Sequence, residues 1–119
     1  MINNLAVVTL WVDDFKRAIS FYRDILGLEL TTRPGEAPHF IVGDGLLVLS
    51  KGQFCPPEDA FPPDFAQISF GVGDLEGMVA NLQKHEVALI GHIEERRDSR
   101  WIKLQDPAGN LIELVEVKV

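Results

Sequence analysis

The chain has 119 residues, 46% hydrophobic and 24% charged, the length and balance of one ordinary globular domain. Cys55 is the only cysteine, which excludes an intrachain disulfide, and a formal net charge of −7 disfavours nucleic acid and anionic membrane surfaces as partners. Met1-Ile2-Asn3-Asn4 carries no basic leader, and no apolar run approaches the roughly 20 residues of a bilayer span, so a cytoplasmic protein is expected.

Residues from Val7 alternate as a strand, Asp14 is placed to cap a helix, and Phe15, Ile19, Tyr22 and Leu26 follow at helical spacing, with Gly27 as a stop. Three strand-like runs come next, at 28–33, 40–43 and 46–51, the last two joined by a turn through Gly43-Asp44-Gly45. The segment KGQFCPPEDAFPPDF, with Pro56, Pro57, Pro62 and Pro63, reads as a semi-rigid connector. The pattern then repeats. A strand from Gln67 leads to the cap Asp74, a helix with Leu75, Val79 and Leu82 on one stripe, and strand-like runs at 87–94, 100–105 and 111–117. Asp106-Pro107-Ala108-Gly109-Asn110 turns between the last two.

The chain is therefore read as βαβββ twice, the signature of a duplication: module one over 1–51, a connector over 52–64 and module two over 65–119. Alternation gives each first strand two unlike faces. Ala6, Val8, Leu10 and Val12, like Ala66, Ile68, Phe70 and Val72, suit packing under a helix, whereas Leu5, Val7, Thr9 and Trp11, like Phe65, Gln67, Ser69 and Gly71, form a mixed face suited to a ligand.

This organisation, with LWVDDFKRAISFYRDILGLEL near the start and DPAGNLIELVE near the end, resembles the vicinal oxygen chelate superfamily, which includes glyoxalase I, extradiol dioxygenases, fosfomycin-resistance enzymes and bleomycin-resistance proteins. The resemblance implies an α+β fold in which the two modules form a curved mixed-sheet cup with helices outside. It also implies four metal-ligand positions, one on the first and one on the last strand of each half. Here they are Val7, Val48, Gln67 and Glu113, and the duplication offset relates Val7 to Gln67 and Val48 to Glu113 independently. A valine has no lone pair to donate, and one amide with one carboxylate falls short of the usual three or four protein ligands. No cofactor is expected, and at most a weakly held divalent metal.

Glu113 interrupts a strand of Leu, Ile and Val, and two readings stand side by side. It anchors a ligand beside Gln67, or acts as a general base if desolvation favours its protonated form. Alternatively the Asp106–Asn110 turn sets Lys103 opposite it as a cross-strand ion pair of little energetic weight. Trp11 and Trp101 fall on the mixed face and suit stacking of a planar or cationic ligand. Val7, Thr9, Trp11, Val48, Gln67, Ser69, Trp101, Lys103 and Glu113 thus make up the expected ligand-binding set, with Glu113 the one catalytic candidate.

Other signals weigh less. Gly71-Val72-Gly73-Asp74-Leu75-Glu76-Gly77 has its third glycine one place late for a dinucleotide fingerprint, and Asp74 would repel a pyrophosphate. His39 and His85 read as surface histidines, His92 with Glu94 as a solvated strand end, and the mixed-sign run Glu94-Glu95-Arg96-Arg97-Asp98 likewise. Two functions follow: a non-catalytic binder of a neutral or cationic small molecule, like the bleomycin-resistance proteins, or a glyoxalase-like lyase, isomerase or dioxygenase using Glu113. A homodimer is expected, since open curved sheets leave strand edges to cover.

Overall fold

The structure, a computed structural model, describes residues 1–52 and 67–118. Apart from Gly52, the expected connector lies outside the described residues, as do Cys55 and the expected face positions Phe65 and Ala66. The chain divides into two compact units, Met1–Phe54 and Cys55–Val119.

In the first unit the order is β1 (Val7–Val12), α1 (Phe15–Ile19) running into a π-helical segment (Ser20–Ile25), β2 (Glu29–Leu30), β3 (His39–Val42) and β4 (Gly45–Lys51). Spatially the strands lie β1-β4-β3-β2, with β1 parallel to β4 and the remaining pairs antiparallel. Asp14 caps α1 as expected, its carboxylate accepting from the Arg17 amide at 3.2 Å. One face of the sheet buries Val12, Phe40, Leu47 and Leu49 beneath the helix, where Tyr22 meets Phe40 with ring centroids 5.9 Å apart. Full burial of each such side chain stabilises by about 1.5–3 kcal/mol. This is the helix side of the sheet, and the opposite face is its open side.

Three expectations need correction here. The helix stripe is rotated: Ala18, Phe21 and Tyr22 are buried, whereas Phe15, Ile19 and Leu26 are only half-buried. A π segment follows, in which the Leu26 amide bonds the Phe21 carbonyl at 3.0 Å, five residues back, and that widened turn carries Leu26 off the stripe. The run expected as a strand over 28–33 pairs in register only at Glu29 and Leu30; the Thr31 amide still donates to the His39 carbonyl at 3.0 Å, and at Thr32 the side chain stands in for the backbone. Thr32 Oγ1 accepts from the His39 amide at 2.9 Å. Ala6 lies outside β1 and is exposed, so the apolar face of the first strand starts at Val8.

The second unit repeats the plan with β5 (Ile68–Gly71), α2 (Leu75–Lys84), β6 (Leu89–Glu95), β7 (Ser99–Gln105) and β8 (Leu111–Val117), ordered β5-β8-β7-β6. The fold class is thus α+β, with two four-stranded mixed sheets, each carrying one helix. Asp106 fixes the β7–β8 turn. Its buried carboxylate accepts from the Ala108 and Asn110 amides at 2.9 and 2.8 Å and from the Asn110 side chain at 3.0 Å. The resulting register sets Gln105 against Leu111 and Lys103 against Glu113.

On the helix side, Ile102, Leu104, Ile112 and Leu114 are buried, and Glu116 reaches from β8 to accept from the Leu75 amide at 2.8 Å, closing the first turn of α2. Arg100 clamps the same region, donating to Glu76 at 2.6 Å and to Glu116 at 3.1 Å. The hydrogen bond from Arg100 holds the Glu76 carboxyl below its ordinary range, and the two carboxylates in turn raise the Arg100 guanidinium. At the α2 cap itself Asp74 accepts from the Gly77 amide at 3.0 Å, so a carboxylate already occupies the place a pyrophosphate would need.

Candidate functional site

On the open side of the second unit the register produces a row across three strands: Ser69 on β5, Glu113 on β8 and Lys103 on β7. Glu113 is half-buried, and neutral groups hold both carboxylate oxygens. Ser69 Oγ donates to Oε1 at 2.8 Å and the Gln67 amide to Oε2 at 3.2 Å. Lys103, though directly opposed, forms no ion pair with any described residue. The expected Lys103–Glu113 ion pair is therefore corrected by the structure: short side chains on the neighbouring strand reach the carboxylate with better geometry than a long, mobile ammonium does. Gln67 and Ser69 thus both contact Glu113, and the register sets Lys103 beside it.

Trp101 sits two residues before Lys103 on the same face, half-buried, and its ring does not wait open for a ligand. The Arg96 guanidinium lies over it, 5.5 Å from the ring centroid. The run 94–98 is accordingly more than a solvated strand end, since Arg96 stacks on Trp101 and Glu95 pairs with Lys118. His92 and Glu94 are exposed, as read from the sequence.

The first unit carries the equivalent row Thr9, Val48 and His39 on its open side. Here the carboxylate position is a valine, flanked by a hydroxyl and an imidazole. His39 is not the plain surface residue expected. Its side chain is only 19% exposed, Nδ1 lies 2.9 Å from the Ala37 carbonyl, and Nε2 is 3.7 Å from Glu36. A carbonyl oxygen only accepts, so Nδ1 is the donor in that contact. The signal was present in the sequence: Phe40 faces the core, so His39 must face away from it, at the position that the duplication equates with Lys103. Val7 and Trp11 share this open side at 51% and 48% exposure, and the Trp11 ring lies against Gly52, where an added Cβ would approach it to 2.7 Å.

The four family metal positions divide between the units, Val7 and Val48 in one, Gln67 and Glu113 in the other. Neither valine offers a donor atom, and Gln67 already engages Glu113. No group of three or more His, Cys, Asp or Glu side chains suited to a metal occurs among the described residues. A divalent cation does not fit the side chains present at these four positions.

The model of the Glyoxalase/Bleomycin resistance protein/Dioxygenase superfamily matches residues 4–114. The chain belongs to that superfamily. Within the superfamily, relatives include the metallothiol transferase FosB of Staphylococcus epidermidis, 27% identical over 96% of this chain and 84% of its own length, and the glutathione transferase FosA of Serratia marcescens, 26% identical over 96% and 81%. Among solved structures, TnmS3, an antibiotic binding protein from Streptomyces sp. CB03234, is similar with a TM-score of 0.77 and 25% identity, covering 98% of both chains. Lactoylglutathione lyase from Agrobacterium tumefaciens gives 0.74 and 26%, covering 97% of this chain and 94% of its own. No helix among the described residues is long and apolar enough to cross a membrane.

Proposed function

We propose that this superfamily member is a cytoplasmic small-molecule binding protein with a degenerate metal site, serving to sequester an antibiotic or metabolite. The observation that carries this reading is the state of Glu113. Ser69 and Gln67 fix its carboxylate before any ligand arrives, on a strand whose neighbours Leu111 and Val115 are apolar. An acceptor held in place loses little freedom on binding, which favours affinity, and a carboxylate has lone pairs beyond the two already used. Valines at two of the four ligand positions support binding without a metal, and so does the likeness to TnmS3. The first-unit row of Thr9, Val48 and His39, with Val7 and Trp11, offers groups of its own on its open side, and Trp101 and Lys103 flank Glu113 in the second unit. The chain pairs as a homodimer in this reading, and a monomer mass by light scattering at micromolar concentration argues against that part.

Native mass spectrometry of the purified protein tests the proposal. A retained small molecule, lost in Glu113→Ala, is the expected result. Consistent absence of any ligand, with no thermal shift across a panel of antibiotics and metabolites, defeats it.

A second reading is favoured by the identity to FosB and FosA along nearly the whole chain. In it Glu113 acts as a general base or as the ligand of a weakly bound metal in a lyase, isomerase, dioxygenase or transferase reaction. Metal-dependent turnover on hemithioacetals, catechols or thiol acceptors, abolished in Glu113→Gln, would put this reading first.

A further inference from the structure

We infer that Lys103 and Arg96 form an oxyanion subsite on the open side of the second unit, receiving a carboxylate or phosphate group of the ligand. The inference rests on the binding reading above and specifies its ligand, which differs from the neutral or cationic one that net charge suggests. Net charge is a property of the whole surface, whereas recognition is decided by the groups a ligand touches.

Three observations converge. Lys103 is half-buried on the open side and forms no ion pair with any described residue, because neutral donors occupy the carboxylate opposite it. An ammonium on a half-buried residue, with no counter-ion among the described residues, gains from an incoming anion. Arg96 likewise makes no ion pair among the described residues, yet it is not left mobile, since its guanidinium rests on the Trp101 ring at 5.5 Å. A guanidinium held near an indole and in no ion pair has N–H donors to offer, in the fork that matches the two oxygens of a carboxylate or phosphate. Finally, Trp101 and Lys103 are alternate residues of β7, roughly 7 Å apart along the strand, so both cations serve one stretch of the open side. Glu94, in register with Trp101, and Glu113 are the carboxylates on the same side. The anion is thus directed to the Lys103–Arg96 edge, while hydrogen-bond donors of the same ligand are directed to Glu113.

The test is an NMR titration of the whole protein, following the Trp101 indole N–H and the Arg96 Nε–H, with inorganic phosphate and, separately, acetate at constant ionic strength. Tetramethylammonium serves as the cationic probe. The expected result is a saturable shift of both signals with at least one oxyanion, its affinity, read on the Trp101 indole N–H, weakened about tenfold by Lys103→Gln and by Arg96→Gln. Arg96→Lys is expected to fall between, since it keeps the charge and loses the fork. Tighter binding of phosphate than acetate assigns a phosphate-type group, and the reverse order a carboxylate. Shifts that do not saturate with either anion, or that persist unchanged in both glutamine variants with native amide spectra, overturn the subsite. Saturation by tetramethylammonium alone also overturns it and leaves the binding reading intact. A molecule retained in native mass spectrometry equally well by wild type and both variants does the same.

Discussion

Lys103 and Glu113 face each other across β7 and β8, yet the glutamate bonds sideways, to Ser69 at 2.8 Å and to Gln67 at 3.2 Å. A pair joined by register and separated by contact has a measurable consequence. Lys103→Met should change stability by no more than about 0.5 kcal/mol in urea unfolding, because no described ion pair is lost and the aliphatic stem is retained. A loss above about 1.5 kcal/mol would mean that the lysine is held by an anion after all.

Ser69→Ala removes the shorter of the two bonds to Glu113. The expected cost in folding stability is about 1 kcal/mol or less, since Ser69 is exposed, while ligand affinity should drop by more than the fold does. A double-mutant cycle with Glu113→Gln, read by isothermal titration on whatever ligand native mass spectrometry identifies, checks this. Additive effects on affinity would mean that the serine does not act through the glutamate.

The position of Glu113 was legible in the sequence, and its partners only in part. Alternation along Leu111–Val117 and the Asp106–Asn110 turn gave its face and its cross-strand neighbour, because both depend on local backbone geometry. Which side chain wins the carboxylate depends on reach across a parallel pairing with β5, 44 residues away, and no local pattern encodes that. The same limit hid Glu116 on the α2 amide, 41 residues away, whereas Arg96 on Trp101 is a contact within one hairpin, hidden because the run 94–98 reads as solvated charge. The π segment escaped for a different reason. Phe15, Ile19, Tyr22 and Leu26 fit an ideal helix, and a single widened turn undoes that fit without any composition signal.

The Arg100 clamp predicts a pH dependence. The hydrogen bond from Arg100 lowers the folded-state pKa of Glu76 from its ordinary 4.5, so the unfolded chain takes up its proton first as pH falls. Its contribution is therefore present above about pH 4.5 and is lost as pH drops through the lower folded value. Arg100→Met should flatten the acid side of the stability profile below that pH, measured by urea midpoints at successive pH values. An unchanged acid limb would remove the clamp from the account.

Glu116→Gln separates the clamp from the cap. An amide oxygen still accepts from the Leu75 N–H but no longer pairs with Arg100 as an anion, so a loss of about 1 kcal/mol or less is expected; Glu116→Ala, which leaves that amide without its partner, should cost about 1–2 kcal/mol. Equal losses for the two would mean that charge rather than capping is what β8 contributes to α2.

The last prediction concerns the metal. With Val7 and Val48 at two of the four family positions, elemental analysis of the purified protein should find no stoichiometric zinc, nickel, manganese or iron held through Glu113. One equivalent that disappears in Glu113→Ala would contradict the ligand assignment and move the enzymatic reading ahead. The converse experiment restores the donors. Val7→His with Val48→Glu and Gln67→His supplies two imidazoles and two carboxylates at those positions, and it also frees one oxygen of Glu113 from the Gln67 amide. Ser69 would still hold the other oxygen, which is the arrangement of an outer hydrogen bond orienting a metal-bound carboxylate. Where the four positions converge as the family pattern requires, the triple variant binds zinc measurably by isothermal titration, and adding Ser69→Ala weakens that binding by about tenfold. If the triple variant folds, as judged by its amide spectrum, and still takes up no zinc, the four positions do not converge in this chain as the family pattern requires.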